Sequence, residues 1–297
     1  MRERVQAVLT GAVALLAAGV VSPTSAGAVT GGIDDTTNIY ENVGMIAFYD
    51  DGARYRCSAT LVAEDVLLTA AHCTAGTDGD TIVTFDPRVA ERPAAPGEPP
   101  VLPVAGDPAA GYADSDDLPE GWYRGTASTH PEYSDFTDTA NWNDVGVVVL
   151  DAADAAAIAA AGIEPAAIAP VGFLDAFAQP RLNATEFRLV GYGTEVRKAD
   201  GGPQKPTPMS YPIRRQYTDV IGQKLTPQIL QVNGNEHDNR AGGGSCFGDS
   251  GGPTFKDGLL VTVTSYGYTS NCRYLDGLQR VDIPGVQDWL AGFGVTA

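Results

Sequence analysis

A serine at position 250 sits in CFGDSGGP, residues 246–253, with glycines on both sides. Glycine is placed where the backbone must take left-handed angles or come very close to another group. The stretch therefore favours a tight turn over a helix or strand, and a reactive hydroxyl is one reason to build such a turn. A serine hydroxyl is a weak nucleophile at neutral pH. It needs a base within hydrogen-bond reach and an acid to orient that base.

Gly248-Asp249-Ser250-Gly251-Gly252 formally fits the Gly-x-Ser-x-Gly elbow of α/β-hydrolases, in which the histidine follows the serine along the chain. The three histidines here, His72, His130 and His237, all precede Ser250. Either the chain uses another order or the serine is inert. LLTAAHC (67–73) offers His72 as a base, although a histidine beside a cysteine on an apolar run is ordinarily core packing. His130 and His237 lie in Pro-containing and Asn/Gly-rich stretches that read as surface loops. Asp144 competes with Asp135, Asp138 and Asp151 as the orienting acid; its place just before the apolar run VGVVVL favours it, because an acid there can be desolvated beneath a histidine.

Taken together, LTAAHC, the Asn143-Asp144 that opens NDVGVVVLD, and CFGDSGGP resemble the chymotrypsin/trypsin-like serine endopeptidases, in motif and in order, and in particular a secreted bacterial-type member. HPEY (130–133), LVGYG (189–193), SYG (265–267) and VQDWL (286–290) extend the resemblance over most of residues 29–293. It implies His72 as general base, Asp144 as its orienter and Ser250 as nucleophile, with the backbone N–H groups of Gly248 and Ser250 as the oxyanion hole. It implies disulfides Cys57–Cys73 and Cys246–Cys272. It also implies an activation ion pair between the α-amine of Val29, which opens Val-Thr-Gly-Gly, and Asp249. The primary pocket falls on Gly244, Ser245, Ser265, Tyr266, Gly267, Asp276 and Gly277. A glycine at 244 brings no charge to the pocket base, so an apolar or broad preference is expected, with Asp276 as the residue that could turn it toward basic side chains. The reaction requires no metal and no cofactor. A catalytically silent homologue acting as a secreted binding protein is the alternative reading.

These residues must be positioned by elements of the right kind. Short β-branched runs such as VGMIAFYD, DTIVTFD, EFRLVGYG and LLVTVTSYG, punctuated by Gly, Pro, Asn and Asp, read as strands of an all-β protein. The resemblance makes them two six-stranded antiparallel Greek-key barrels, about 29–150 and 185–283, with a short C-terminal helix at 284–293. Residues 86–121 are too proline-rich for a central strand and are expected to form a surface insertion. The alanine-rich stretch that opens 151–184 is expected to cross between the barrels.

Residues 1–28 combine Arg2 and Arg4, an uncharged apolar run and Ala-Gly-Ala at 26–28, the pattern of a signal peptide. A cut after Ala28 would itself expose Val29; a cut after Ala26 would leave two residues to trim. Four cysteines, an even number, fit an oxidising compartment and allow three pairings. No Cys-x-x-Cys pair is present, which disfavours metal. The net charge of −18 repels phosphate backbones and anionic membrane surfaces, so no nucleic-acid partner is expected; no run after the leader is long and apolar enough to span a bilayer, so no membrane anchor is expected. Protein or peptide substrates, protein inhibitors of such enzymes and a monomeric state complete the expectation.

Overall fold

A computed structural model describes residues 29, 31–90, 100–138, 140–194, 212–235 and 242–297. The expected leader 1–28 and His237 lie outside the described residues. The N-terminal half holds β1 (Ile33–Asp34), β2 (Val43–Asp50), β3 (Ala53–Ala63), β4 (Val66–Thr69), β5 (Asp78–Thr84), β6 (Arg88–Val89), β7 (Tyr123–Thr129) and β8 (Gly146–Leu150). Helix α1 (Ala152–Ala160) follows, then β9 (Glu186–Gly191), β10 (Ile213–Arg214), β11 (Gln216–Leu225), β12 (Ile229–Asn233), β13 (Pro253–Lys256), β14 (Leu259–Gly267), β15 (Leu275–Arg280) and α2 (Pro284–Ala291).

Two antiparallel barrels close. The first runs β2-β3-β4-β8-β7-β5 and returns to β2. The second runs β11-β12-β15-β14-β13-β9 and returns through the β9–β11 pairing, with β1 added outside β11. Two hairpins are set by Asp-Gly dipeptides. Asp51 and Gly52 take φ of 50° and 73° between β2 and β3, and Asp257 and Gly258 take 53° and 81° between β13 and β14. Paired positive φ values suit a two-residue turn whose twist matches that of its strands.

The unbroken apolar runs of β4 and β8 follow from burial on both faces. Leu67 and Val148 point into the first barrel with Ile46, Leu61 and Val83. Their neighbours Leu68 and Val147 point the other way, into a core shared with Leu260, Val263 and Val281 of the second barrel. Helix α2, with Pro284 in its first turn, adds Val286 and Leu290 to that shared core. Pro is suited to this position because its missing N–H has no partner there. Trp289 of α2 packs edge-on against the His130 ring, centroids 5.0 Å apart, and His130 is only 4% exposed, not at the surface.

Among the described residues of 86–121, only Arg88–Val89 forms a strand, two residues long and paired with β10. Val89, Leu102, Ala105 and Tyr112 are nevertheless buried, in a core with Met45, Tyr49 and Trp122. The stretch after β8 forms α1, which buries Ile158, and two 3-10 turns at Phe173–Phe177 and Arg181–Ala184.

Candidate active site

The β4–β8 register brings His72 and Asp144 together. Thr69 at the end of β4 pairs with Gly146 at the start of β8, so the residues just beyond each strand end are neighbours. His72 lies in a single 3-10 turn, Ala71–Cys73, which the Cys57–Cys73 disulfide ties back to β3. Asn143 enters β8 at φ 45°, a left-handed conformation that asparagine tolerates better than most residues, and turns Asp144 inward.

Asp144 is fully buried and faces three donors. Its Oδ1 accepts the His72 backbone N–H at 2.9 Å, and its Oδ2 lies 2.9 Å from His72 Nδ1. Ser265 Oγ donates to the same Oδ2 at 2.6 Å. A carboxylate at Nδ1 selects the Nδ1–H tautomer and leaves Nε2 with its lone pair toward the cleft.

Ser250 reaches the cleft from the second barrel. Gly248 at φ 100° and Gly251 at φ 74° bracket it. A Cβ on Gly251 would stand 2.0 Å from Thr69 Oγ1 and 2.7 Å from the N of Ala70, two residues before His72. Only glycine permits that approach, which explains the glycine spacing of the motif. Among the described residues every hydrogen bond of the His72 side chain goes to Asp144; none reaches Ser250. Unliganded hydrolase sites often hold that contact long, and it tightens when substrate binds.

Ser250 also lines a pocket of about 350 Å³, together with Ser245, Ser265, Tyr266 and Gly267 from the expected set. Phe247, Thr264, Thr269, Ser270 and the Cys246–Cys272 disulfide complete the wall. Gly244 packs its backbone against Gly234 instead. The space beside Gly277 is taken by the Tyr266 ring, 2.2 Å from where a Cβ would stand. Asp276 is 2% exposed and sits behind the wall, its Oδ2 accepting the Ser245 N–H at 2.7 Å and its Oδ1 3.6 Å from the Cβ position of Gly267. Burial pushes its carboxyl up to about 7.

Asp249 is also fully buried and pushed up to about 7, by burial, against the opposing effects of two backbone donors and the Arg56 charge. Those donors are the N–H groups of Gly193 and Cys246, each at 2.8 Å. Val29 is buried in the second barrel's core, and its N–H donates to Gln216 Oε1 at 2.9 Å. In this continuous chain that nitrogen is an amide and makes no bond to Asp249.

Sequence reading missed an aromatic strip beside the site. Phe136 lies 5.8 Å from His72, Trp142 packs on Phe136 at 5.4 Å, and Tyr266 stacks on Trp142 at 5.0 Å. The clustering of Tyr133, Phe136 and Trp142 just ahead of Asp144 is the signal that could have found it. Cys57, His72 and Cys73 converge as metal-ligating types, but the two sulfurs are bonded to each other.

Among curated proteins the chain is 25% identical to brachyurin of Leptuca pugilator over 276 residues, covering 88% of this chain and 96% of brachyurin. It is 25% identical to trypsin of Saccharopolyspora erythraea over 261 residues, covering 87% and 91%. Among solved structures it superposes on HL collagenase with a TM-score of 0.58 at 16% identity, covering 90% of this chain and 99% of the other. Human heparin binding protein gives a TM-score of 0.54 at 16% identity, covering 90% and 97%. These structural likenesses extend the two-barrel architecture to named folds. The family model described as trypsin matches residues 113–290, more than half of the chain and including Asp144 and Ser250, and with that match this chain belongs to the trypsin family of serine endopeptidases.

Proposed function

We propose that the protein is a secreted endopeptidase that cleaves peptide bonds through His72, Asp144 and Ser250 by way of an acyl-enzyme. The observation that carries this is the direct His72–Asp144 contact, joined through Ser265, which donates to Asp144 and lines the same pocket as Ser250. Ser250 Oγ attacks the scissile carbonyl while His72 Nε2 takes its proton. The negative charge that develops on the carbonyl oxygen is met by the N–H groups of Gly248 and Ser250. His72 then passes the proton to the leaving amine, and a water repeats the sequence on the ester. Asp144 holds the ring in the tautomer this requires.

The uncharged lining of the pocket supports preference for apolar or aromatic side chains, with the carboxyl of Asp276 one residue layer behind. Export with cleavage after Ala28 would free the Val29 amine. Its ammonium would then pair with Asp249, a buried acid whose carboxylate, among the described residues, meets neutral N–H groups and the more distant charge of Arg56. The arrangement supports a precursor whose maturation and export are one event.

Ser250→Ala and His72→Ala test the proposal in a peptide-hydrolysis assay. Each should lower kcat by about a millionfold, since the two groups act as a unit. Hydrolysis that survives both substitutions would sink the assignment, and no hydrolysis by the unaltered secreted protein would favour the silent binding homologue.

A further inference from the structure

The glycines around Ser250 allow the loop its shape but do not enforce it. Gly248, at φ 100°, is free to adopt many other conformations. Oxyanion donors are effective only if they are aimed before charge develops. Some group outside the loop must therefore hold Gly248, and β3 of the opposite barrel supplies it.

Ser58, next to the disulfide-bonded Cys57, is fully buried and uses every polar atom it has. Its N–H donates to the Ser250 carbonyl at 2.8 Å. Its Oγ donates to the Gly248 carbonyl and accepts the Tyr192 N–H, both at 2.9 Å. Its own carbonyl accepts from Thr69 Oγ1 at 2.9 Å, on the strand that leads to His72. Arg56, two residues earlier and thus on the same side of β3, donates through Nη1 to the Tyr192 carbonyl. The central carbon of its guanidinium lies 3.2 Å from the Cβ position of Gly248, so the group covers the face of that residue.

We propose that Ser58 and Arg56 are positioning residues that hold the oxyanion loop in its productive shape across the cleft between the barrels. This rests on the reading of Gly248 and Ser250 as the oxyanion donors. Ser58 fixes the carbonyls of Gly248 and Ser250; Arg56 blocks the face through which Gly248 would turn. Neither touches substrate.

Ser58→Ala removes the hydroxyl and leaves the Tyr192 N–H and Gly248 carbonyl unpaired. Arg56→Met keeps an apolar stem and removes the guanidinium, both the donor to Tyr192 and the group that covers Gly248; being only partly buried, Arg56 can change without threatening folding. Losing one oxyanion donor outright costs about 10²–10³ in kcat, so loosening one should cost less. Expected are falls in kcat of about tenfold for Ser58→Ala and about threefold for Arg56→Met, with KM and the affinity of a non-covalent pocket ligand unchanged within about twofold. Affinity for a peptide aldehyde, which presents a tetrahedral oxygen, should fall in parallel with kcat. Labelling of the unaltered protein by a fluorophosphonate is run alongside. If it labels and turns over, yet both variants keep kcat and aldehyde affinity within twofold, the clamp is refuted and the Ser250 assignment stands. If Ser58→Ala does not fold, Arg56→Met decides alone. If the unaltered protein neither labels nor turns over, the Ser250 reading fails and the clamp with it.

Discussion

Asp276→Asn isolates the cost of a buried acid behind the pocket. Asp276 is fully enclosed, accepts one backbone N–H from Ser245, and is pushed up to about 7 by burial, with the Asp249 charge adding to the rise. In the unfolded chain an aspartate titrates near 3.9, roughly three pKa units lower. The unfolded state therefore releases this proton first as pH rises. Folded stability from this group is complete below pH 4 and is lost as pH climbs to about 7, beyond which the loss levels off. At 1.36 kcal/mol per unit the whole step is on the order of 4 kcal/mol. Asparagine keeps the carbonyl that accepts the Ser245 N–H and removes the ionisation. Urea unfolding at pH 5, 7 and 8.5, in a Ser250→Ala background to prevent self-cleavage, measures the difference. About one unit of the loss has already occurred by pH 5, so the substituted protein should gain on its parent between pH 5 and 8.5 by the remaining two units, on the order of 3 kcal/mol. A difference that does not change with pH would refute the reasoning.

The motifs proposed to be catalytic are legible because each sits at a place where local chemistry and tertiary role coincide. His72 must follow the end of β4, Asp144 must precede β8, and the glycines beside Ser250 are demanded by contacts within 3 Å. Strand breaks at Asp51-Gly52 and Asp257-Gly258 are written in the residue types themselves. Ser58 carries no such signal. A serine after a cysteine in a strand is unremarkable until a carbonyl 190 positions away is laid against it. His130 reads as exposed from its Pro-containing loop, but the loop passes under α2, whose position depends on the completed second barrel. The same holds for Tyr112: its stretch is proline-rich, yet its ring lies edge-on to Tyr49 in a core on the outer face of β2 that also takes in Val190 of β9. Arg215 is the extreme case, wholly buried because Asp35 and the carbonyls of Val43 and Phe85 converge on its guanidinium. Such residues become predictable only once the two barrels are docked.

Asp144→Asn should lower kcat by about 10⁴, because the amide favours the wrong imidazole tautomer, while binding of a pocket ligand is retained; steady-state kinetics with active-site titration checks both. Ser265→Ala removes the 2.6 Å donor to Asp144 and should destabilise the fold by about 1.5–3 kcal/mol, as expected for a hydrogen bond to a charged group, measured by urea unfolding. Burial lowers the pKa of His130, so the unfolded state binds its proton first on acidification; stability should be complete above about pH 6.5 and decline below it, and His130→Asn should flatten that decline in thermal melts at pH 7.5 and 5.5. N-terminal sequencing of the exported protein should begin at Val29, and a start well downstream would rule out the coupling of export to activation.

Fluorophosphonate labelling followed by peptide mapping is the most direct test of the chemistry assigned to the cleft. The unaltered protein should carry one adduct, on Ser250, and His72→Ala should lose it while keeping its fold. An adduct on another residue, or labelling of Ser250 that persists without His72, would contradict the assignment of a histidine-activated serine.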